Sequence, residues 1–372
     1  MKRIATVFLL FFVFSYTFSV SADTPQDIYD EIYDKSEISQ LQDGLSEEIT
    51  KIISELGIDL KSFTSFLDMQ PQSLWSVIID MLGRNITTPL TVFSLALAVI
   101  LICSTLGGMW PNPIETNQSF TYICLLSLSS VVLIPMTSTV DNCISGIKSV
   151  SGFMLTFVPV YAGLMLSSGQ VTSAAVYQSI MLGISELVSQ VAGFIIAPTI
   201  SIFICIGMAS AIAGIDGTYK LAMTIKNVAN WILGFFMTLF TGFLSVQSVI
   251  GKSADNLTIK TTRFFVGSTV PVVGGYLSEA LTTVVAGLGI LRSTAAAWCV
   301  LVLALMVLPL IIELFLWRIS LNLLSAVSEI FVLPEASKLF QVCSVALGFL
   351  VAIILSVSVM FILSLVILKG GA

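Results

Sequence analysis

Residues Val342–Leu368, VCSVALGFLVAIILSVSVMFILSLVIL, form an uncharged apolar run of twenty-seven residues. A hydrocarbon core of about 30 Å is crossed by about 20 helical residues, so this run is long enough to span. It must be helical there, because lipid offers no partner to open backbone groups. Working outward, eight more apolar runs precede it: Pro89–Met109, Phe120–Val140, Gly152–Leu166, Ala174–Ile196, Ile200–Ile215, Trp231–Ile250, Phe265–Leu291 and Ala295–Leu316. Gly152–Leu166 is short, Ile200–Ile215 is short but uninterrupted, and Phe265–Leu291 contains Pro271, Gly274 and Gly275. These runs imply seven to nine crossings. The expected fold is all-α: a polytopic integral membrane bundle over residues 87–372, preceded by a small helical extracytoplasmic domain.

Composition agrees. The chain is 56% hydrophobic and 10% charged with mean hydropathy +1.01, where a soluble domain carries about 25% charged residues. The net charge of −6 is unevenly placed. Residues 23–80 hold 13 of the 22 acidic side chains against Lys35, Lys51 and Lys61. No basic patch indicates nucleic acid.

At the amino end, Lys2 and Arg3 precede an apolar stretch from Ile4 to Phe18, and Val20-Ser21-Ala22 supplies small residues before Asp23. Residues 1–22 therefore read as a secretory signal peptide. Residues 23–86 read as an acidic extracytoplasmic domain of two or three short amphipathic helices. Ile38, Leu41, Leu45, Ile49, Ile52 and Leu56 recur at helical spacing, and Leu74, Val77, Ile78 and Met81 form a later set. A core of this size is marginal alone.

Several chemistries are excluded. The sequence has no histidine and no G-x-x-x-x-G-K-[ST], which removes His-based acid–base catalysis and a P-loop nucleotide site. No catalytic, cofactor-binding or metal-ligating set is expected, and the chain is not expected to be an enzyme. The six cysteines show no CxxC spacing and read as buried free thiols.

Between the runs lie Asp141–Val150, Asp216–Asn230, Lys252–Arg263 and Arg318–Gln341, with apolar residues at helical spacing and one to three cations each. They read as interfacial helices, with Lys148 and Lys260 as interfacial cations. Two of these regions repeat at a constant offset, residues 147–163 and 259–275. Ile147-Lys148 corresponds to Ile259-Lys260, Phe153 to Phe265, Val158-Pro159-Val160 to Val270-Pro271-Val272, and Gly163 to Gly275. Proline removes a helix hydrogen bond, and paired broken segments in two halves of a transporter point to its substrate path. Two kinked packing helices are the alternative. Three carboxylates fall inside apolar runs: Glu186, Glu279 and Glu313. Such groups should face a bundle interior or a water path. Glu279, eight residues after Pro271, is the preferred pathway residue. Glu313 lies near a run's end and could reach the interface, where Arg318 is close. The candidate pathway or packing residues are thus Pro159, Gly163, Glu186, Pro271, Gly274, Gly275 and Glu279.

A signal peptide and acidic domain precede Val158-Pro159-Val160-Tyr161-Ala162-Gly163. Gly242-Phe243-Leu244-Ser245-Val246-Gln247, Lys252-Ser253-Ala254-Asp255 and Thr261-Thr262-Arg263-Phe264 follow. Val270-Pro271-Val272-Val273-Gly274-Gly275 and Leu277-Ser278-Glu279-Ala280-Leu281 complete the order. This ordered set resembles the stage III sporulation protein AE family of endospore-forming bacteria, most densely from Gly214 to Thr294. The resemblance implies a multi-pass protein of the mother-cell membrane around the forespore. It would be a channel- or permease-like subunit of a secretion-like complex linking the two cells. Its partners would be other subunits, including a separate ATPase, together with membrane lipid and no nucleic acid. A structural scaffold and an independent ion-coupled secondary transporter are the alternatives.

Overall fold

The structure, a computed structural model, describes residues 47–55, 71–108, 115–213, 216–269 and 274–369. The signal-peptide assignment, residues 23–46 and Pro271 lie outside them. The elements are α1 (Glu47–Glu55), α2 (Pro71–Asn85), α3 (Thr87–Gly108), α4 (Glu115–Ser167), α5 (Val171–Val191), α6 (Ala197–Ala213), α7 (Asp216–Thr269), α8 (Gly274–Ile330) and α9 (Pro334–Lys369). A π-helical turn, Ala192–Ile196, joins α5 to α6. The described residues contain no strand.

Among the described residues six stretches are long and apolar enough to cross a membrane: Ser76–Leu106, Phe120–Ser167, Val171–Ala213, Met223–Thr261, Val285–Ile330 and Pro334–Ile367. The sequence suggests seven to nine, and the difference has a physical cause. Runs Phe120–Val140 and Gly152–Leu166 share α4, because the polar stretch between them keeps the buried stripe going. Leu128, Val132, Met136, Cys143, Ile147, Val150, Met154, Phe157 and Tyr161 are all buried at steps of three, four or seven. Runs Ala174–Ile196 and Ile200–Ile215 share one helix through the π turn. Pro198 has no N–H to donate back toward Phe194, and a wider turn accommodates that loss. Run Phe265–Leu291 divides between the end of α7 and the start of α8.

Pro159 is therefore not a break. It sits inside α4 on an exposed face, so the bond it removes is lost on the outside of the bundle.

The α8–α9 hairpin is the centre of the packing, and α4 lies along it. Trp298 and Trp317 are fully buried, as are Phe340 and Phe361 of α9. Close approach is built in by small residues. A Cβ on Gly207 of α6 would collide with Val342 of α9, and one on Gly146 of α4 with Leu310 of α8. At the amino end, α1 buries Ile52 and Ile53, and α2 buries Val77 and Met81, one turn apart. A nine-residue helix is unstable alone in water, so α1 depends on these contacts.

Two helix ends use the left-handed backbone. Gly169 (φ +82°) closes α4: Gln170 N–H donates to Met165 O at 3.0 Å and Gly169 N–H to Leu166 O at 2.9 Å. The same paired pattern closes α8, where Leu333 N–H reaches Ser328 O at 2.9 Å and Val332 N–H reaches Glu329 O at 3.1 Å. There the left-handed residue is Val332 (φ +56°), an uncommon choice for a β-branched side chain.

The cysteines correct the sequence reading. Cys103 of α3 and Cys124 of α4 are disulfide-bonded, Cys205 is exposed, and Cys143, Cys299 and Cys343 are buried thiols.

Candidate functional site: a polar clamp on four helices

The residues singled out from the sequence do not converge. Pro159 and Gly163 are exposed on α4. Glu186 is exposed on α5 and accepts a 2.7 Å hydrogen bond from Gln190 Nε2, one turn on. Lys260 is exposed on α7. Gly274 and Gly275 open α8, and Glu279 lies in its second turn, with a side chain outside the described set. Lys148 is exposed on α4 but does find a partner surface. Its Nζ lies 3.1 Å from where a Cβ on Gly193 would stand, so the glycine of the π turn makes room for the ammonium. None of these residues lines the two clearest concavities among the described residues. One is a tight apolar gap beside Ile147 and Leu310, the other an open groove over Thr238 and Gly242 of α7.

The structure instead gathers buried polar groups around the turn from α4 to α5. Helix α5 begins after Gln170, whose side chain makes no capping bond. The first N–H groups of a helix have no partner within it. Those of Thr172 and Ser173 are bonded at 2.8 and 3.0 Å by the two carboxylate oxygens of Asp255, which lies on α7 and is only 2% exposed. These are the N–H groups that an N-cap side chain ordinarily serves. Here a residue more than eighty positions away supplies the cap.

Helix α7 is otherwise mostly exposed. It buries a narrow stripe of Leu244, Ser248, Gly251 and Asp255, at intervals of four, three and four residues. Gly251 is necessary because a Cβ there would stand 2.7 Å from Ser173 Oγ. Beside it, Lys252 Nζ donates to Ile367 O at 3.0 Å, and Ser248 Oγ donates to the same carbonyl at 3.3 Å. That carbonyl belongs to the last turn of α9. Two turns of α7 thus place a carboxylate on a helix amino end and an ammonium on a helix carboxyl end. Each charge meets the pole it complements.

The fourth helix joins through Arg292 of α8. It is 6% exposed and donates from Nη1 to the side-chain oxygen of Gln170. An aromatic column leads from the core to this level. Phe153, Phe157 and Tyr161 of α4 succeed one another with ring centroids 5.9 and 5.6 Å apart, and Tyr177 of α5 meets Tyr161 edge-on at 5.6 Å. Trp298 of α8 flanks the column. Chemically the arrangement locks α5, α7, α8 and α9 together. Among the described residues no three His, Cys, Asp or Glu side chains gather as a metal site would require.

A second polar network sits at the other end of the α8–α9 hairpin. Ser337 Oγ donates to Glu329 Oε1 at 2.8 Å and lies 2.9 Å from Ser325 Oγ, while Ser344 Oγ donates to Asn322 Oδ1 at 2.8 Å.

Sequence reading meets Lys252 and Asp255 only within a motif and an interfacial stretch, and misses Arg292. The usable signal was the spacing of Ser248, Lys252 and Asp255, which places three polar groups on one stripe of an apolar helix.

The profile of the stage III sporulation protein AE family matches residues 59–372. A curated relative, the stage III sporulation protein AE of Bacillus subtilis (strain 168), is 24% identical over 262 residues. That match covers 69% of this chain and 64% of the relative, so the chain spans less than two thirds of the relative's length. No solved structure matches the chain. With a family profile that runs through every one of its long apolar helices, the chain belongs to the stage III sporulation protein AE family.

Proposed function

We propose that the chain is a channel- or permease-like membrane subunit of a secretion-like sporulation complex connecting mother cell and forespore. The observation that carries this reading is the family match across residues 59–372, which includes all six long apolar helices. In this reading the protein sits in the mother-cell membrane around the forespore, with residues 23–86 in the space between the two membranes. Its partners are the other subunits and membrane lipid, not nucleic acid. Energy comes from a separate ATPase, since the chain has no P-loop of its own. It acts by assembly and passage rather than as an enzyme.

One observation favours a scaffold as second reading. The buried polar groups of the clamp join helix ends to one another, and Pro159, Gly163 and Glu186 face outward. Glu279→Gln and Pro271→Ala separate the two. Variants that insert normally but abolish spore maturation support a path, and full function in both favours the scaffold. Substrate uptake by the purified chain alone in liposomes would instead point to an independent transporter.

A further inference from the structure

Several serine and threonine hydroxyls on α4 bond back to their own helix. Ser127, Thr137, Ser151 and Thr156 each donate to a carbonyl three or four residues earlier. Thr139 does not. It is 2% exposed, and its Oγ1 donates across the bundle to Glu313 Oε1 of α8 at 2.9 Å. Among the described residues this is the one hydrogen bond the Glu313 carboxylate makes, and no cation pairs with it. Sequence reading left Glu313 either facing the bundle interior or reaching the interface near Arg318; its carboxylate points to α4.

Its depth follows from its neighbour. Arg318, five residues on, packs against Gly348 of α9. Gly348 lies fourteen residues past Pro334 and nineteen short of Ile367, in the middle of that apolar span. Glu313 itself stands in Ala295–Trp317, where it is the one charged residue. The groups around it do not neutralise it. Helix α4 brings Thr139, the buried Cys143 thiol and the exposed Asp141. Helices α1 and α2 also pack on α8; their charged side chains among the described ones are Lys51, Asp80 and Arg84, and the last two pair with each other. Helix α3 carries no charge, and α9 has none between Lys338 and Lys369.

An unpaired carboxylate at membrane depth is costly, and the neutral acid is not. We propose that Glu313 is a proton-binding site within the membrane, with Thr139 as its hydrogen-bond partner. Binding adds one proton to a carboxylate oxygen and release returns it. The Thr139 hydroxyl can donate to Oε1 in both states. The inference rests on the membrane reading of α8 and not on membership of a sporulation complex.

The test uses the unaltered full chain in liposomes at pH 7, treated with N,N′-dicyclohexylcarbodiimide. This apolar reagent adds to a protonated carboxyl and rearranges to a stable N-acylurea with no leaving group. Trypsin cutting at Arg292 and Arg318 would release Ser293–Arg318, in which Glu313 is the only carboxylate side chain. The expected result is a single adduct on that peptide, absent in Glu313→Gln and at least about tenfold weaker with a water-soluble carbodiimide. An ordinary glutamate, with pKa about 4.3, is almost wholly ionised at this pH. Thr139→Val removes a donor that favours the ionised form, so it should raise the labelling. An unmodified peptide, or equal modification by both reagents, would overturn the proposal. Loss of labelling in Thr139→Val would overturn the assigned part of Thr139.

Discussion

Replacing Asp255 by alanine strands two backbone N–H groups at once. Those of Thr172 and Ser173 lose bonds of 2.8 and 3.0 Å to a carboxylate that is almost wholly buried. A hydrogen bond to a charged group contributes about 1.5–3 kcal/mol, and an N–H left buried without a partner costs about 1–3 kcal/mol. The lost interaction with the amino end of α5 adds about 0.3–1 kcal/mol. Because the terms overlap, the net expectation is about 3–5 kcal/mol. Asp255→Asn keeps an acceptor oxygen but not the charge, and should cost about 1–2 kcal/mol. The chain carries its own probe in detergent. Cys143, Cys299 and Cys343 are buried and Cys205 is exposed, so a thiol-reactive fluorophore reports loss of packing above a fixed baseline. At about 2 °C per kcal/mol, Asp255→Ala should melt about 6–10 °C lower, with Asp255→Asn in between. Melting within about 2 °C of the parent, or an asparagine variant less stable than the alanine one, would refute the clamp.

Other outcomes follow from single contacts. Gly251→Ala should lower the melting point, and adding Ser173→Ala should restore much of it, since the atom struck is Ser173 Oγ. Val332→Gly should raise stability by about 0.5–1 kcal/mol. It relieves a left-handed valine while adding chain entropy to the unfolded state. Val332 is 82% exposed, so little packing is lost, and the same melting assay reads the gain. Thiol counting in denaturant should find four reactive cysteines without reductant and six with it. Six without reductant would contradict the Cys103–Cys124 bond. Pro159→Ala should leave melting unchanged or slightly raised, because the proline lies exposed within a continuous helix.

The helical membrane class was legible because every backbone group in lipid must be satisfied locally, and the long apolar runs say so directly. Helix continuity was not. Asp141–Val150 looks like a separate interfacial helix by composition, yet Ile144, Ile147 and Val150 keep a buried face through it. Pro159 reads as a break in sequence, but its consequence depends on which side of α4 it faces, and only packing sets that. The clamp was the least legible feature. Asp255 serves residues 82 and 83 positions away, Lys252 a carbonyl 115 away, and Arg292 an amide 122 away. Local periodicity places Ser248, Lys252 and Asp255 on one stripe but says nothing of what the stripe meets. The family resemblance was legible from the ordered motifs, and it marked Lys252 and Asp255 without explaining them.

The capping of α5 from α7 also orders biogenesis. When α4 and α5 leave the ribosome and enter the bilayer, the carboxylate that completes the start of α5 is still about eighty residues from being made. Until then those N–H groups must be served by water or another partner. Lys252 then waits in turn for Ile367. The amino end of α5 is therefore completed only once α7 is in place, and a nascent chain stalled before α7 would leave that end without its carboxylate cap.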